Sequence, residues 1–237
     1  MVSAVGLRDT DAPKPMIGSV TEHMSDSTIR AVLWDFGGVI LTSPFEAFNR
    51  YEAANDLPTD FIRTVNTVDP DDNAWARLER NAVTPGEFDE QFATESAALG
   101  HRIPGADVLA LLSGSVRPEM ERALDLVIAA GYATACLTNN VVSDDTATQR
   151  RPDVANVMAK FGHVVESSKV GVRKPEPRFY EIACELVGVA AERCVFLDDL
   201  GINLKPARAM GMATIKVVGA DQAIDELASL LGISLSN

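Results

Sequence analysis

Residues 31–38 read Ala-Val-Leu-Trp-Asp-Phe-Gly-Gly, four apolar residues followed by an aspartate, a phenylalanine and two glycines. A continuous apolar run, unlike an alternating one, is typical of a strand that is buried on both faces of a parallel sheet. Three similar runs follow later in the chain, at 133–137, 194–197 and 213–218. The sequence therefore predicts a parallel sheet built from at least these strands.

Helical patterns separate the apolar runs. Apolar residues recur every three or four positions over 118–130, over 177–187 and over 202–210. Gly131 and Gly211 follow the first and third of these patterns, as glycines that end helices commonly do. Because strands and helices alternate, we predict an α/β fold with a doubly wound parallel sheet.

The segment between the first two strands has a different character, because it shows helical patterns and no convincing strand. Phe45-Glu46-Ala47-Phe48 opens one helix, and Thr84-Pro85-Gly86-Glu87 has the residues of a capping box. The beginning of the chain lacks periodicity and is expected to be a flexible tail. The predicted division is therefore a tail, a two-part core and an inserted helical cap: 1–29, 30–44 with 113–237, and 45–112.

The charge of the chain limits its partners. Lys and Arg number 21 against 34 Asp and Glu, which gives a net charge of −13. Such a surface repels nucleic acid and anionic lipid, so we expect neither as a partner, and an anionic substrate would need local positive charge. No apolar run approaches the roughly 18 residues of a membrane span, and no signal peptide is recognised. We therefore expect a cytoplasmic protein that acts on a small molecule.

Polar residues follow the predicted strands at their carboxyl ends, the edge where parallel α/β sheets bind ligands. Asp35 ends the first run, Thr138-Asn139-Asn140 follow the second, and Asp198-Asp199 follow the third. Lys174 precedes the helix that leads to the third run. We therefore expect three carboxylates, a hydroxyl and an ammonium group to share one site.

These residue types suit metal-assisted phosphoryl transfer. Asp35 can attack phosphorus and form an aspartyl-phosphate. Mg²⁺ prefers hard oxygen ligands, which Asp35, Asp199 and the main-chain carbonyl of Gly37 could supply, with Asp198 in support. Lys174 would place positive charge against the carboxylates and the transferring group.

Hydrogen-bond donors for a phosphoryl group are also available. Thr138 can donate from its hydroxyl, and the glycines after Asp35 allow main-chain N–H groups to approach closely. Taken singly, each of these residues has an ordinary alternative as a turn former, a helix cap or a surface charge. Their chain order and shared position at strand ends favour a site. The candidates for substrate binding are Phe36, Gly37, Asn139 and Asn140.

The order of the motifs distinguishes two families. A phosphate-receiver domain also uses Asp, Thr and Lys with Mg²⁺, but its acidic pair comes first in the chain. The order here resembles the haloacid dehalogenase superfamily of hydrolases, in the branch of the phosphatase-like amino-terminal domain of epoxide hydrolases and the domain fused to some acyl-CoA dehydrogenases. That resemblance implies a Rossmannoid core with a helical cap inserted after the first motif. The matching segments are VLWDFGGVI (32–40), CLTNN (136–140), KVGVRKPEP (169–177) and FLDDLGINLKPA (196–207).

Gly37 departs from the family pattern. Most phosphatases of the superfamily carry a second aspartate at this position, which protonates the leaving oxygen, and general acids typically contribute about 10²–10⁴-fold. Three functions therefore stay open: a Mg²⁺-dependent phosphatase of a small organic phosphate, a metal-independent dehalogenase-like hydrolase, and a non-catalytic module that binds phosphate or a protein. The pair Asp198–Asp199 favours the first, because the dehalogenase branch lacks it.

Overall fold

The structure is a computed structural model that describes residues 29–140 and 151–235. Within these residues, five strands form one parallel sheet: β1 Ala31–Trp34, β2 Ala133–Thr138, β3 His163–Glu166, β4 Cys194–Asp198 and β5 Ala213–Lys216. Their order in the sheet is β3-β2-β1-β4-β5. The predicted doubly wound parallel sheet is confirmed. Apart from Ile29, the predicted tail lies outside the described residues.

Helices connect the strands and cover both faces of the sheet. None of those in the described ranges is both long and apolar enough to cross a membrane. A short 3₁₀ turn at Ala191–Arg193 leads into β4. The α-helices of the described chain are α1 Phe45–Ala54, α2 Phe61–Thr67, α3 Ala74–Glu79, α4 Pro85–Ala98, α5 Gly105–Ala110, α6 Pro118–Ala129, α7 Pro152–Met158, α8 Ser167–Val170, α9 Pro177–Val187, α10 Gly201–Ala209 and α11 Ala220–Leu231.

The central strand β1 shows why its sequence is continuously apolar. All four of its residues are completely buried. Val32 and Trp34 point into the cluster formed with α6 and α11, whereas Ala31 and Leu33 point into the cluster formed with α9 and α10. Since both faces of β1 are covered, no position of the strand favours a polar side chain.

The third strand was not predicted from the sequence. β3 pairs with β2 alone and forms one edge of the sheet. Of its four residues only Val165 is fully buried. A half-exposed edge strand of four residues carries too few apolar positions to stand out in the sequence. β5, the opposite edge, likewise ends at Lys216, two residues before its apolar run does.

Helices α1–α5 lie between the turn after β1 and helix α6. They share an apolar cluster of their own, centred on Phe48, Ile62, Phe88 and Phe92. The capping box predicted at the start of α4 is confirmed. The Thr84 hydroxyl accepts the N–H of Glu87 at 3.2 Å, and the Glu87 carboxylate accepts the N–H of Thr84 at 2.8 Å.

The two ends of this helical segment leave the sheet side by side. Leu41 and Val116 form an antiparallel bridge. The N–H of Thr42 donates to the carbonyl of Ser115 at 2.8 Å, and the N–H of Arg117 donates to that of Ile40 at 2.9 Å. The segment therefore joins the rest of the chain through a narrow, hydrogen-bonded neck directly after the turn that follows Asp35.

Candidate active site

Asp35 lies at the carboxyl end of the central strand, where its main-chain N–H still donates to the carbonyl of Leu197 at 2.8 Å. Its side chain is buried. Oδ1 accepts the N–H of Phe36 at 2.6 Å and lies 2.6 Å from Nζ of Lys174. Oδ2 makes no hydrogen bond within the described residues. One carboxylate oxygen is therefore fixed, and the other is free to meet a ligand.

The turn after Asp35 uses its two glycines differently. The N–H of Leu41 closes the turn on the carbonyl of Phe36 at 2.8 Å. Gly38 has a φ of +82°, and a Cβ there would lie 2.2 Å from Oδ2 of Asp199. Gly37 has an ordinary φ of −71°, and its Cβ would meet nothing within 4 Å. Only Gly38 is therefore required for steric reasons.

Phe36 itself contributes its main chain to this turn and its ring to the interior. The ring belongs to the apolar cluster that includes Trp34 and Val39. Any contact of Phe36 with a substrate would therefore come from its main chain.

Lys174 is buried between two carboxylates. Nζ lies 2.6 Å from Oδ1 of Asp35 and donates to Oδ2 of Asp198 at 2.8 Å, and the side chain is 1% exposed. Burial opposes its charge, but the charges of Asp198 and Asp35 outweigh burial and raise the pKa of Lys174 above its ordinary value. Lys174 is therefore an ammonium group that fixes two of the predicted site carboxylates relative to each other.

The two adjacent aspartates have opposite surroundings. Asp198 is fully buried, and besides Lys174 it accepts the N–H of Leu200 at 2.8 Å and the side-chain amide of Asn203 at 3.0–3.1 Å. Asp199 is partly exposed, and among the described residues its carboxylate meets its own main-chain N–H but no hydrogen-bond donor of another residue. Asp198 is thus held entirely by the protein, whereas Asp199 is available to a ligand.

Sequence reasoning missed Asn203. Its side chain is buried in the first turn of α10, five residues after Asp198. The only available signal was an asparagine at the start of a helix, where a polar residue is common for local reasons.

Three carboxylates converge here and could hold a metal ion. Asp35, Asp198 and Asp199 each offer an oxygen, and these atoms all lie within 4.8 Å of one another. Burial raises the pKa of Asp35 to about 8, with Lys174 opposing the shift and the other two aspartates adding to it. Burial, and then the charge of Asp198, raises the pKa of Asp199 to about 6. The hard oxygen donors and the excess negative charge fit a divalent cation such as Mg²⁺.

Thr138 and Asn139 follow one another at the end of β2. Thr138 is buried, and its hydroxyl has no hydrogen-bond partner among the described residues. Asn139 uses its whole side-chain amide inside the protein: Oδ1 accepts the N–H of Lys174 at 2.9 Å, and Nδ2 donates to the carbonyl of Lys174 at 3.0 Å and to Glu79 at 3.1 Å. Asn139 thus clamps the main chain of Lys174, and its direct contact with a substrate stays a prediction.

Asn140 is also engaged within the protein. Its amide donates to Glu166 at 2.9 Å and accepts from the hydroxyl of Ser168 at 2.8 Å, while its N–H donates to the hydroxyl of Ser167 at 3.0 Å. These contacts join the end of β2 to the end of β3. The predicted contact of Asn140 with a substrate likewise stays a prediction.

A cavity of about 340 Å³ opens beside Asp199 and Gly38. Arg117 and Lys216 line it and bring positive charge to an otherwise acidic edge, and Phe45 adds an apolar wall. Neither basic residue was predicted, because one follows the neck and the other ends an edge strand. Their presence supplies the local positive charge that an anionic substrate of so acidic a protein would need.

Comparison with known proteins identifies the family to which the chain belongs. The family model of haloacid dehalogenase-like hydrolases matches residues 29–211, which include all four motifs of the site. The chain belongs to the haloacid dehalogenase-like hydrolases.

Curated relatives place this family member in the branch expected from the sequence. Acyl-CoA dehydrogenase family member 10 of Mus musculus is 31% identical over 218 residues, which cover 90% of this chain and 20% of that protein. Bifunctional epoxide hydrolase 2 of Mus musculus is 31% identical over 219 residues, which cover 86% of this chain and 39% of that protein. The chain therefore spans less than half the length of these two relatives.

A third relative has the size of this chain. Sesquiterpene phosphatase astK of Aspergillus oryzae is 25% identical over 212 residues, which cover 87% of this chain and 98% of that protein. Among solved structures, a HAD family enzyme of Bacteroides thetaiotaomicron, in complex with magnesium and inorganic phosphate, has a TM-score of 0.55 at 20% identity and covers 84% of this chain and 98% of its own. At that identity the structural likeness shows the fold alone.

Proposed function

We propose that this chain is a Mg²⁺-dependent phosphatase that hydrolyses a small organic phosphate through an aspartyl-phosphate on Asp35. The observation that carries the proposal is the group of three carboxylates that faces a single ammonium at the end of the central strand. Arg117 and Lys216 add positive charge where an anionic substrate would enter. A relative named as a phosphatase that matches over nearly its whole length supports the same reaction.

In the first step Oδ2 of Asp35, the oxygen without a protein partner, attacks the phosphorus atom. A bond forms between Oδ2 and phosphorus, and the bond from phosphorus to the ester oxygen breaks. The leaving oxygen departs with the electron pair and takes a proton from water, because Gly37 has no carboxyl group to supply one. Lys174 stays paired with Oδ1 during this step and so keeps the Asp35 carboxylate oriented, with Oδ2 towards the phosphorus atom.

In the second step a water oxygen attacks the phosphorus atom of the aspartyl-phosphate and gives up a proton to solvent water. The bond between phosphorus and Oδ2 breaks, Asp35 recovers its carboxylate, and inorganic phosphate carries away the water oxygen. The hydroxyl of Thr138 is the side-chain donor proposed to hold the phosphoryl group during both steps.

We assign the metal ligands by asking which carboxylate oxygens have no partner within the protein. Asp199 has no bond to another residue and is the carboxylate most available to a metal ion, whereas Asp198 is fully engaged and orients Lys174. Asp35 stays a candidate ligand through the carboxylate oxygen that does not attack phosphorus. The carbonyl of Gly37 stays a candidate ligand. Mg²⁺ bound here would supply positive charge that keeps Asp35 ionised and offsets the charge of the phosphoryl oxygens. Residues 45–112 are proposed to act as the cap that limits substrate size.

The other two functions are less well supported. A metal-independent dehalogenase-like hydrolase needs no general acid, which agrees with Gly37, but it gives no role to Asp199. A module that only binds phosphate gives no role to a buried nucleophile-like carboxylate, since strongly shifted pKa values at one edge are typical of reactive sites. The cytoplasmic location stays a prediction.

The proposal is tested by a screen of the purified protein against small phosphate esters, with Mg²⁺ and with a chelator. Asp35→Asn, which keeps the shape of the side chain but cannot attack phosphorus, is the control. We expect turnover of at least one ester that requires both Mg²⁺ and Asp35. Equal rates in the chelator, or equal rates in folded Asp35→Asn protein, would overturn the proposal.

A further inference from the structure

Glu79 is a buried carboxylate of the inserted helices that contacts the edge of the sheet. It is the last residue of α3 and is 6% exposed. Its two oxygens have different partners: Oε1 accepts the indole N–H of Trp75 at 2.8 Å, and Oε2 accepts the amide of Asn139 at 3.1 Å. Oε2 also lies 2.6 Å from Nε of Arg173. A helix of the insertion therefore ends on residues that flank the nucleophile strand.

Asn139 carries this contact to Lys174. Its amide is bonded to both the N–H and the carbonyl of Lys174, so that Asn139 sets the position of the lysine main chain. The ammonium of the same lysine lies against Asp35. From Glu79 to the proposed nucleophile there are thus only two intervening side chains, each held by contacts of 3.1 Å or less.

The loop that bears Lys174 is tied to the insertion at further points. Arg173 donates to the carbonyl of Pro70 at 3.0 Å, and Arg80 lies 2.7 Å from Glu176. Glu79 is also paired with Arg173, but it differs from these ties because it contacts Asn139, the side chain that is bonded to the main chain of Lys174.

A second buried glutamate of the insertion provides the contrast. Glu52 is 2% exposed, and its oxygens accept the N–H groups of Asp60 and Ile62 at 2.8 and 2.9 Å. All of these residues belong to the insertion itself. Glu52 fixes that segment internally, whereas Glu79 spans from the insertion to the site.

We infer that Glu79 is a positioning residue, which transmits the placement of the inserted helices to Lys174 through Asn139. The inference rests on the proposed function only for its kinetic consequence. When α3 sits in its observed place, Glu79 orients the Asn139 amide and thereby the lysine; when α3 moves away, the clamp on Lys174 loses that support. The insertion thus acts on the reaction without touching the reacting atoms.

Glu79→Gln is the informative variant because glutamate has two hydrogen-bond acceptor oxygens and glutamine has one. The carboxylate satisfies Trp75 and Asn139 with separate oxygens, and its charge also faces Nε of Arg173. A glutamine has one acceptor oxygen and an NH₂ group that cannot accept, so that one donor loses its partner while the shape is kept. Glu52→Gln is the matched control, with the same change at an equally buried position in the same helices.

The kinetic test measures kcat and KM for an aryl phosphate at saturating Mg²⁺. We expect Glu79→Gln to lower kcat by about tenfold with KM changed less than about twofold, since small displacements of a catalytic group cost rate. Glu52→Gln should leave both constants unchanged. In an Asn139→Ala background, Glu79→Gln should lower kcat by a smaller factor than in wild type, because only the ion pair of Glu79 with Arg173 is then left to lose. Equal kcat in the two glutamine variants, or multiplying effects in the double variant, would overturn the inference.

A second readout does not depend on turnover. Hydrogen exchange at the amide of Lys174, which is bonded to Asn139, should be faster in Glu79→Gln than in wild type and unchanged in Glu52→Gln. If wild type shows no phosphatase activity, the proposed function fails, and exchange alone decides the inference. If Glu79→Gln does not fold, Trp75→Phe, which removes the donor to Oε1 and replaces the indole packed on Phe88 by a smaller ring, should show the same change to a smaller degree. Unchanged exchange in the folded variant contradicts the inference.

Discussion

Buried carboxylates at the carboxyl edge of the sheet and in the inserted helices differ in how completely the protein supplies their hydrogen-bond and ion-pair partners. At the edge, Asp35 and Asp198 share the ammonium of Lys174, and Asp199 has no ion pair and no hydrogen bond from another of the described residues. In the helices, Glu52 and Glu79 each have at least two donors on their oxygens. An unpaired buried charge is costly in free energy. The excess negative charge at the carboxyl edge of the sheet therefore favours binding of a positively charged ligand there.

This contrast separates carboxylates that are available to a substrate or a metal ion from carboxylates that only fix the geometry of the protein. A carboxylate that the protein satisfies completely can fix geometry but has little left for a substrate or a metal ion. A carboxylate that the protein leaves unsatisfied destabilises the fold and is retained for chemistry. The neighbours Asp198 and Asp199 show this division within two residues, and they give the largest expected effects.

Asp198→Ala should damage the fold, whereas Asp199→Ala should damage metal binding. Loss of Asp198 leaves Asn203 without its buried acceptor and Lys174 with one of its two carboxylates, and breaking a buried ion pair typically costs about 3–5 kcal/mol. Loss of Asp199 removes a contact with Gly38 but no ion pair and no hydrogen bond to another of the described residues. Thermal unfolding and Mg²⁺ titration of activity in both variants measure the two effects. A larger Mg²⁺ shift in folded Asp198→Ala protein would reverse the assignment of ligand and support.

Gly37→Asp tests whether the missing general acid limits the reaction. The position has an ordinary φ and open space for a Cβ, so the variant should fold. A carboxyl that reaches the leaving oxygen should speed alkyl phosphates by up to about 10²-fold, and aryl phosphates with acidic phenols much less. The slope of rate against leaving-group pKa measures this effect in both proteins. A flat slope in wild type would show that another group already donates the proton.

The smallest expected effect concerns the stability of the metal-free protein. The folded pKa values of Asp35 and Asp199 are raised to about 8 and about 6. Between the ordinary aspartate pKa and these values the folded state binds more protons than the unfolded state, so stability falls as pH rises through that window. In chelator, Asp199→Asn should therefore lose less stability than wild type between pH 4 and pH 7, with a difference in Tm on the order of 3 °C.

Glu52→Gln is the control for that measurement, because its contacts lie within the inserted helices. It should lose stability over the same pH window as wild type does. A loss in Asp199→Asn as large as in wild type would mean that the edge of the sheet carries no excess charge in the folded protein.

Much of the fold was predictable because buried strands leave a simple signal. Four of the five strands in the described residues coincide with mainly apolar runs of the sequence, and the capping box at Thr84 is a local pattern. The edge strand β3 was not predictable, because with one neighbour and two partly exposed faces it lacks such a run. The exact end of β5 depended on pairing with β4, which the sequence does not encode locally.

The site divides in the same way. Asp35, Lys174, Asp198 and Asp199 are brought together because parallel topology aligns the ends of their strands and the loop before α9. Asn203, Arg117 and Glu79 were missed, since each reaches the site through the packing of a helix or neck. Their positions at the site depend on how the helices pack in the tertiary structure. Neither hydrophobic periodicity nor motif spacing in the sequence indicates that packing.

The central claim is that Asp35 becomes phosphorylated in a reaction that needs Mg²⁺. An activated aryl phosphate makes the first step easy, whereas the second step has no carboxyl at position 37 to assist water, so the aspartyl-phosphate should accumulate early in the reaction. Rapid mixing, acid quench and mass analysis of the peptide that contains Asp35 measure it directly. The account predicts one phosphoryl group on Asp35 with Mg²⁺ and none in chelator. Release of phosphate with no phosphoryl group on Asp35 at any time would contradict it.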